Sequence, residues 1–359
     1  MQITMDPNLP VLLAVLLAVF FIGLIFLRLK QPILIAYLLV GVAVGPHGLG
    51  ILVNAEVISW LGNIGVLLLL FFLGMDMPLP KLLTNWKISI VGTFFQILGS
   101  IVAVFLVGCW LDWPLSRVIL LGFVISLSST SIILRLLHHA KASDSQIGND
   151  VIGISLTQDL AVVPMLIVLG LFRGEGTNLT LGSKQLLGTV LVFGITYYLH
   201  QKKECRLPLG RYLSEDEDIQ LFAALCICFG AALITAYLGL STAIGAFVAG
   251  LIVRTAKETH WVKNRLEPFR IFLMALFFIS VGMMIDFRFI QDNKLELFVL
   301  TVIAMVTNTF INAGILKALG RSSRESLYGG ALLAQISEFS FVLASVGLQS
   351  AIISRFSYN

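Results

Sequence analysis

An acid in the middle of an apolar run is the first residue to explain. Asp159 lies between Val151 and Phe172, inside Thr157-Gln158-Asp159-Leu160-Ala161-Val162-Val163-Pro164. About 20 apolar residues cross a bilayer, so this run can span one. An ionised Asp at that depth costs roughly 2.5–3.5 kcal/mol on insertion scales, and such acids mark ion or proton paths. Desolvation disfavours the charged form, so the group can hold a proton or a dehydrated cation in turn. The plainer alternative is a structural Asp satisfied by the hydroxyls of a neighbouring helix. Ser126, Ser128, Ser129, Thr130 and Ser131 crowd another apolar run, and Gln335-Ile336-Ser337-Glu338 places a second acid in a third. Hydroxyls can satisfy backbone groups where a helix unwinds. Half-helix ends meeting there would turn their dipoles on an ion, and Ser128, Ser129, Thr130 or backbone carbonyls could supply oxygen ligands. The alternative reading is that Ser and Thr are small residues that pack membrane helices closely.

The elements that must position these groups are membrane spans. Of the 359 residues, 58% are hydrophobic and 12% charged, and the mean hydropathy is +0.95. A soluble domain carries about 25% charged residues, so lipid solvates most of this chain. Apolar segments fall at 10–27, 32–46, 57–75, 87–110, 115–137, 149–172, 185–199, 218–238, 241–254, 266–285, 295–318 and 325–350. The second and ninth are short and glycine-bearing, as broken or protein-buried segments often are. Of the 24 Lys and Arg residues, 18 fall on alternate loops, which predicts an outside N-terminus and a cytoplasmic first loop. The net charge of +4 and the lack of a basic, aromatic-interleaved stretch argue against nucleic acid. Cys109, Cys205, Cys226 and Cys228 show no metal spacing.

The sequence repeats itself. Leu38-Leu39-Val40-Gly41-Val42 resembles Phe247-Val248-Ala249-Gly250-Leu251, 209 positions on. Phe71-Phe72-Leu73-Gly74-Met75-Asp76 resembles the stretch from Phe277-Phe278 to Gly282 and Asp286, offset by 206 at the first Phe. Ser128–Leu134 resembles Ser337–Leu343, again offset by 209. The offset covers an odd number of spans, seven, so equivalent helices cross in opposite directions. Inverted repeats of this kind are a signature of secondary transporters, with the site near the midplane. The expected organisation is a first repeat over 1–172, a linking span and loop over 173–217, and a second repeat over 218–359. The repeat also predicts a thirteenth span beginning near residue 358, so the last membrane helix is expected to be missing.

Ser128-Ser129-Thr130 followed by Gln158-Asp159-Leu160-Ala161-Val162-Val163-Pro164 resembles the monovalent cation:proton antiporter-2 family, most closely its Kef-like potassium/proton antiporters. Phe71–Met75, Ala246–Gly250, Phe277–Gly282 and Gln335–Ser340 extend the resemblance over nearly the whole chain. It implies an all-α, thirteen-helix fold with a dimerisation bundle, a mobile core bundle and two crossed, broken helices. It implies a homodimer in the inner membrane with an elevator-like movement, in which the acid matching Asp159 binds cation and proton in turn. No enzyme activity and no cofactor is implied, and no metal beyond the transported ion. Complete Kef-like proteins carry a cytoplasmic nucleotide-binding regulatory domain after the last helix, which is expected to fall outside this sequence.

Two departures bear on mechanism. Electrogenic relatives carry two adjacent acids, the first paired with an intramembrane Lys. Here the first position is Gln158, and Asn308 stands near the expected basic position. A Gln158–Asn308 pairing is expected in place of the ion pair, so exchange is expected to be electroneutral, with K+ favoured and Na+ the alternative. The expected cation and proton ligands are Asp159, Gln158 and Thr157. The expected broken-helix site comprises Ser128, Ser129, Thr130, Gln335, Ser337 and Glu338, with Asn308 as a polar partner.

The remaining polar groups have plainer readings. Asp76 and Asp286 at span ends read as caps or loop charges. His138 and His139 read as a solvated face beside Arg135 and Lys141. Asn149 and Asp150 read as caps of the Asp159 helix, and Glu215–Asp218 as charges favouring the start of the eighth span. Other architectures with inverted repeats remain alternatives. An organic-anion carrier would want core Lys or Arg, a channel would want a symmetric filter, and an intramembrane hydrolase would want a second acid in a matching motif.

Overall fold

The computed structural model describes residues 8–29, 31–51, 55–76, 86–143, 145–172, separate positions between 184 and 198, 217–255 and 262–354. Among these residues the fold is helical, with no strand. The helices are α1 Asn8–Arg28, α2 Ile33–Val44, α3 Ala55–Asp76, α4 Trp86–Trp110, α5 Leu115–Ser126, α6 Thr130–His139 and α7 Gln146–Leu171. After the helical positions between 184 and 198 come α8 Glu217–Tyr237, α9 Thr242–Thr255, α10 Val262–Met284 and α11 Phe287–Asp292. The chain continues through α12 Lys294–Ala318, α13 Ser323–Leu332 and α14 Phe339–Gln349. Cys205, Glu215, Asp216 and the region near residue 358 lie outside the described residues.

Local chemistry sets several boundaries. Pro32 and Pro114 precede α2 and α5, where a missing N–H costs nothing. Ser145 caps α7 by accepting from the Gly148 N–H at 3.1 Å. Ser322 and Glu325 form a capping box at the start of α13. Asn149 and Asp150 are therefore not the caps expected of them, because α7 begins one turn earlier. Asp286 does cap α11, accepting from Arg288 N at 2.9 Å and Phe289 N at 3.3 Å, and its second oxygen lies 3.7 Å from His47. His138 and His139 end α6 exposed, as a solvated face should.

Two bundles result. In one, α2 packs on α10, α3 on α9 and α10, α8 on α9, and α1 on α2. In the other, α4 packs on α5, α7 and α12, α13 on α12 and α7, and α14 on α5 and α7. Each bundle draws on both halves of the chain, so the packed units are not the sequence halves. α4 and α12 turn broad apolar faces outward, including Phe94, Phe95, Phe298 and Phe310, as lipid contact requires. α9 is buried over Ala243–Leu251, matching the expectation for a short, glycine-bearing span. Between the bundles a cavity of about 310 Å³ is lined by Asn63, Phe277, Ser280, Ser345 and Gln349 among others. At its rim the Gln349 amide donates to Asn63 at 2.6 Å.

The repeated motifs meet in space. The Gly41 segment of α2 crosses the Gly282 segment of α10, and the Gly74 segment of α3 crosses the Gly250 segment of α9. A motif from each half thus packs on the other motif from the opposite half, in two equivalent crossings. A methyl group on Gly41 would lie 2.9 Å from the Gly282 Cα and collide with the Ile279 carbonyl; one on Gly250 would lie 2.9 Å from the Gly74 Cα and collide with the Phe71 carbonyl. Backbones this close leave no room for a side chain. Gly282→Ala should destabilise by about 1–3 kcal/mol, the range for overpacking. Gly314→Ala, whose site on α12 has nothing within 4 Å, should be neutral or mildly stabilising. Thermal unfolding of both variants in detergent measures the difference, and equal midpoints would contradict the crossing.

Candidate functional site at two crossed helix breaks

The fifth and twelfth apolar segments do not run through. Helix α5 stops at Ser126, Leu127 and Ser129 take extended conformations, and α6 starts at Thr130. Helix α13 stops at Leu332 and α14 starts at Phe339. Each break exposes backbone groups that hydrocarbon cannot satisfy, so protein must do so. The breaks satisfy each other. Ser337 N donates to the Leu127 carbonyl at 3.0 Å, and the Ser128 hydroxyl donates to the Leu333 carbonyl at 2.6 Å. The Gln335 amide donates to Leu332 O at 3.1 Å and Ser129 O at 3.4 Å, while Ser340 donates to Val124 O at 2.6 Å.

Asp159 stands on α7 beside this crossing. Its Oδ2 accepts from the Thr130 hydroxyl at 2.9 Å. Thr130 also lies 2.5 Å from the Ser155 hydroxyl, and Ser155 can donate to the Ser128 carbonyl at 3.3 Å. Because Thr130 opens α6, the positive end of that half-helix is presented to the carboxylate. One residue earlier, Ser129 donates to Glu338 Oε2 at 3.2 Å. Neighbouring hydroxyls on one break therefore hold two acids. Both acids are partly exposed, whereas Ser128, Ser129, Ser337, Gln158 and Asn308 are buried. Pro164, inside α7, cannot donate to the Leu160 carbonyl, which leaves an acceptor one residue from Asp159.

The crossing brings together Asp159, Ser128, Ser129, Thr130, Gln335, Ser337 and Glu338. Three expected residues, Thr157, Asn308 and Gln158, make other bonds. Thr157 turns back along its own helix, donating to Gly153 O at 2.8 Å. Asn308 does not pair with Gln158. Its amide donates to Ile125 O at 2.6 Å and to Ala334 O at 3.5 Å, one carbonyl beside each break, and its own Oδ1 is buried without a partner. Gln158 instead accepts from Ser128 N at 3.0 Å and donates to Gln96 Oε1. Gln96 in turn donates to the Ser126 carbonyl at 3.0 Å. Sequence reading missed Gln96, although Ser89, Thr93, Gln96 and Ser100 form a buried polar stripe at helical spacing on lipid-facing α4. It also missed the buried ion pair of Asp150 with Arg321, at 2.6 Å.

The chain is similar to known proteins over this whole architecture. The family model described as sodium/hydrogen exchanger, transmembrane, matches residues 15–359. The iron transporter MagA of Paramagnetospirillum magneticum is 35% identical over 97% of this chain and 80% of its own length. The glutathione-regulated potassium-efflux system protein KefC of Salmonella arizonae is 30% identical over 89% of this chain. The chain spans only about half of that protein, 52%. The sodium proton antiporter MjNhaP1 of Methanocaldococcus jannaschii shares the fold, with a TM-score of 0.65 and 16% identity over 98% of this chain and 92% of that one. An all-helical fold with two crossed breaks and an acid between them, matched along nearly its full length, is that of a secondary transporter and not of an enzyme: the chain belongs to the sodium/hydrogen exchanger transmembrane family of cation/proton antiporters.

Proposed function

We propose that this protein exchanges K+ for H+ across the membrane, one for one, by alternating access around Asp159. The observation that carries the reading is the Thr130 hydroxyl on Asp159 at the start of a half-helix, with a neutral amide at position 158. A single carboxylate that takes up a proton or a cation in turn moves no net charge. The groups near it are hydroxyls, backbone carbonyls and carboxylates, hard oxygen donors that suit an alkali cation better than a transition metal. K+ is preferred to Na+ because the Gln158-Asp159 pair resembles the Kef-like branch and because KefC bears the name of a potassium-efflux protein.

The remaining parts of the reading follow the repeat. Residues 1–172 and 218–359 are the inverted repeats, and 173–217 is their link. The bundle holding α4–α7 and α12–α14 moves against the bundle of α1–α3 and α8–α10, which forms the homodimer interface in a cell membrane with the N-terminus outside. The cavity between the bundles, bridged by Asn63 and Gln349, supports such a movement.

Proteoliposomes loaded with K+ and carrying a lumenal pH dye test the reading. An outward K+ gradient should acidify the lumen, Na+ should be a weaker substitute, and iron(II) should be inert. An imposed membrane potential should not drive steady proton movement. Potential-driven flux would overturn the one-for-one stoichiometry, and iron-driven flux would overturn the choice of cation.

A further inference from the structure

We propose that Gln96 on α4 is a positioning residue for exchange: through Gln158 it fixes the backbone of the first break and so holds the Thr130 hydroxyl on Asp159. This rests on the reading of Asp159 as the exchanging carboxylate.

A helix that stops inside a membrane leaves acceptors and donors that must find partners in protein. At the first break the Ser126 carbonyl receives the Gln96 amide at 3.0 Å. The Ser128 N–H is received by Gln158 Oε1 at 3.0 Å. The two amides close the circuit, Gln158 Nε2 donating to Gln96 Oε1. Both glutamines are fully buried, so water does not substitute for either.

The circuit has only one direction. A carbonyl can only accept, so Gln96 must turn its NH₂ group to Ser126 and its oxygen to Gln158. Gln158 must then turn its NH₂ group to Gln96 and its oxygen to the Ser128 N–H. A hydrocarbon side chain at position 96 leaves the Ser126 carbonyl without its amide and frees Gln158 to rotate. An ionised carboxylate there sets two acceptors face to face. Thr130 follows Ser128 by two residues, so the pinned Ser128 aims the hydroxyl that reaches Asp159. The same logic makes position 158 a place for a donor, which disfavours a second carboxylate beside Asp159. The titratable groups on the helices packed against α4 are Arg117, Asp150, Asp159, Lys294, Glu296 and Lys317. The Gln96 amide bonds to none of them, its two partners being Ser126 and Gln158. Gln96 thus acts through other residues without touching the ion.

The experiment is K+-driven proton flux by the full chain in proteoliposomes, with K+ as the probe and KM separated from maximal rate. In Gln96→Leu the KM for K+ should rise on the order of ten-fold, the scale of one buried hydrogen-bond group left without its partner. Gln96→Glu adds a pH readout. Protonated, the new side chain can donate to Ser126 and accept from Gln158; ionised, it cannot. Its KM should therefore stay near wild type at low pH and climb toward the Gln96→Leu value as pH rises. If Gln96→Leu does not fold, the pH course of Gln96→Glu decides alone. A wild-type KM in folded Gln96→Leu, or a KM in Gln96→Glu that follows the wild-type pH course, overturns the proposal. Asp159→Asn run alongside separates the two readings. If it retains exchange, the carboxylate reading itself fails; if it is inactive while the Gln96 variants keep wild-type KM, only the positioning role fails.

Discussion

Asp159→Asn should abolish K+-driven proton flux while leaving the protein folded. The substitution is nearly isosteric, and the Asn oxygen can still accept from the Thr130 hydroxyl, which now lies 2.9 Å from Asp159 Oδ2. The break geometry does not depend on the charge, because its backbone groups are satisfied by Ser128, Gln335, Ser337, Gln158 and Gln96. What disappears is the carboxylate's charge, and with it the ability to take up a proton and a cation in turn. Loss of a titrating group of this kind lowers rates by roughly 10²–10⁴-fold, which places the variant at the background of a vesicle assay. Thermal unfolding in detergent should show no loss of stability, because an ionisable group near the membrane core costs free energy that a neutral amide avoids. A folded Asp159→Asn protein with substantial flux would sink the assignment. Unfolding of the variant would instead show that the carboxylate is a structural partner of α6, the alternative that the sequence leaves open.

Some of this site was legible because polar groups are conspicuous in an apolar chain. Asp159 stands out in its run, and the hydroxyl cluster around Ser128 stands out again, 209 residues later, around Ser337. The helix breaks follow from those clusters, since few other residue types can satisfy an unwound backbone in lipid. Gly41, Gly74, Gly250 and Gly282 were visible in motifs that recur in order, but their pairwise backbone approach is a tertiary property that the motifs do not state.

Partner identity was less legible, because it is a tertiary property. Asn308 was expected opposite Gln158, yet α12 runs past both breaks and its amide meets the Ile125 and Ala334 carbonyls. Gln96 lies about 60 positions from Gln158, on a helix whose sequence reads as plain lipid contact except for one polar stripe. Thr157 looked like a ligand because it lies two residues from Asp159, but two steps along a helix turn a side chain by about 200°, to the far face. The resemblance implied two bundles, but which helices make up each was hidden by the chain order, since each is assembled from pieces of both halves.

The second large effect concerns stability and lies at the end of the core bundle where α7 begins. Gly320, with φ of +91°, turns the chain out of α12 and brings Arg321 over the first turns of α7. There Arg321 Nε donates to Asp150 Oδ2 at 2.6 Å, with the Arg side chain 13% exposed and the Asp side chain 0% exposed. With the Gln146 amide oxygen facing the guanidinium, it accepts from Arg321 Nη1 at 2.6 Å. The pair ties the start of the Asp159 helix to the turn that leads into α13, and so ties the two elements that build the site. Arg321→Met keeps most of the aliphatic stem but strips Asp150 of its guanidinium, and removing one partner of a buried pair costs about 3–5 kcal/mol. The double variant Asp150→Leu with Arg321→Met removes both charges, and should recover part of that loss, because an apolar pair leaves no buried charge behind. Thermal unfolding of the single and double variants in detergent, set out as a double-mutant cycle, measures the coupling. A single Arg321→Met change within about 1 kcal/mol of wild type, the level of an exposed ion pair, would show that the guanidinium contributes no more here than it would at the surface.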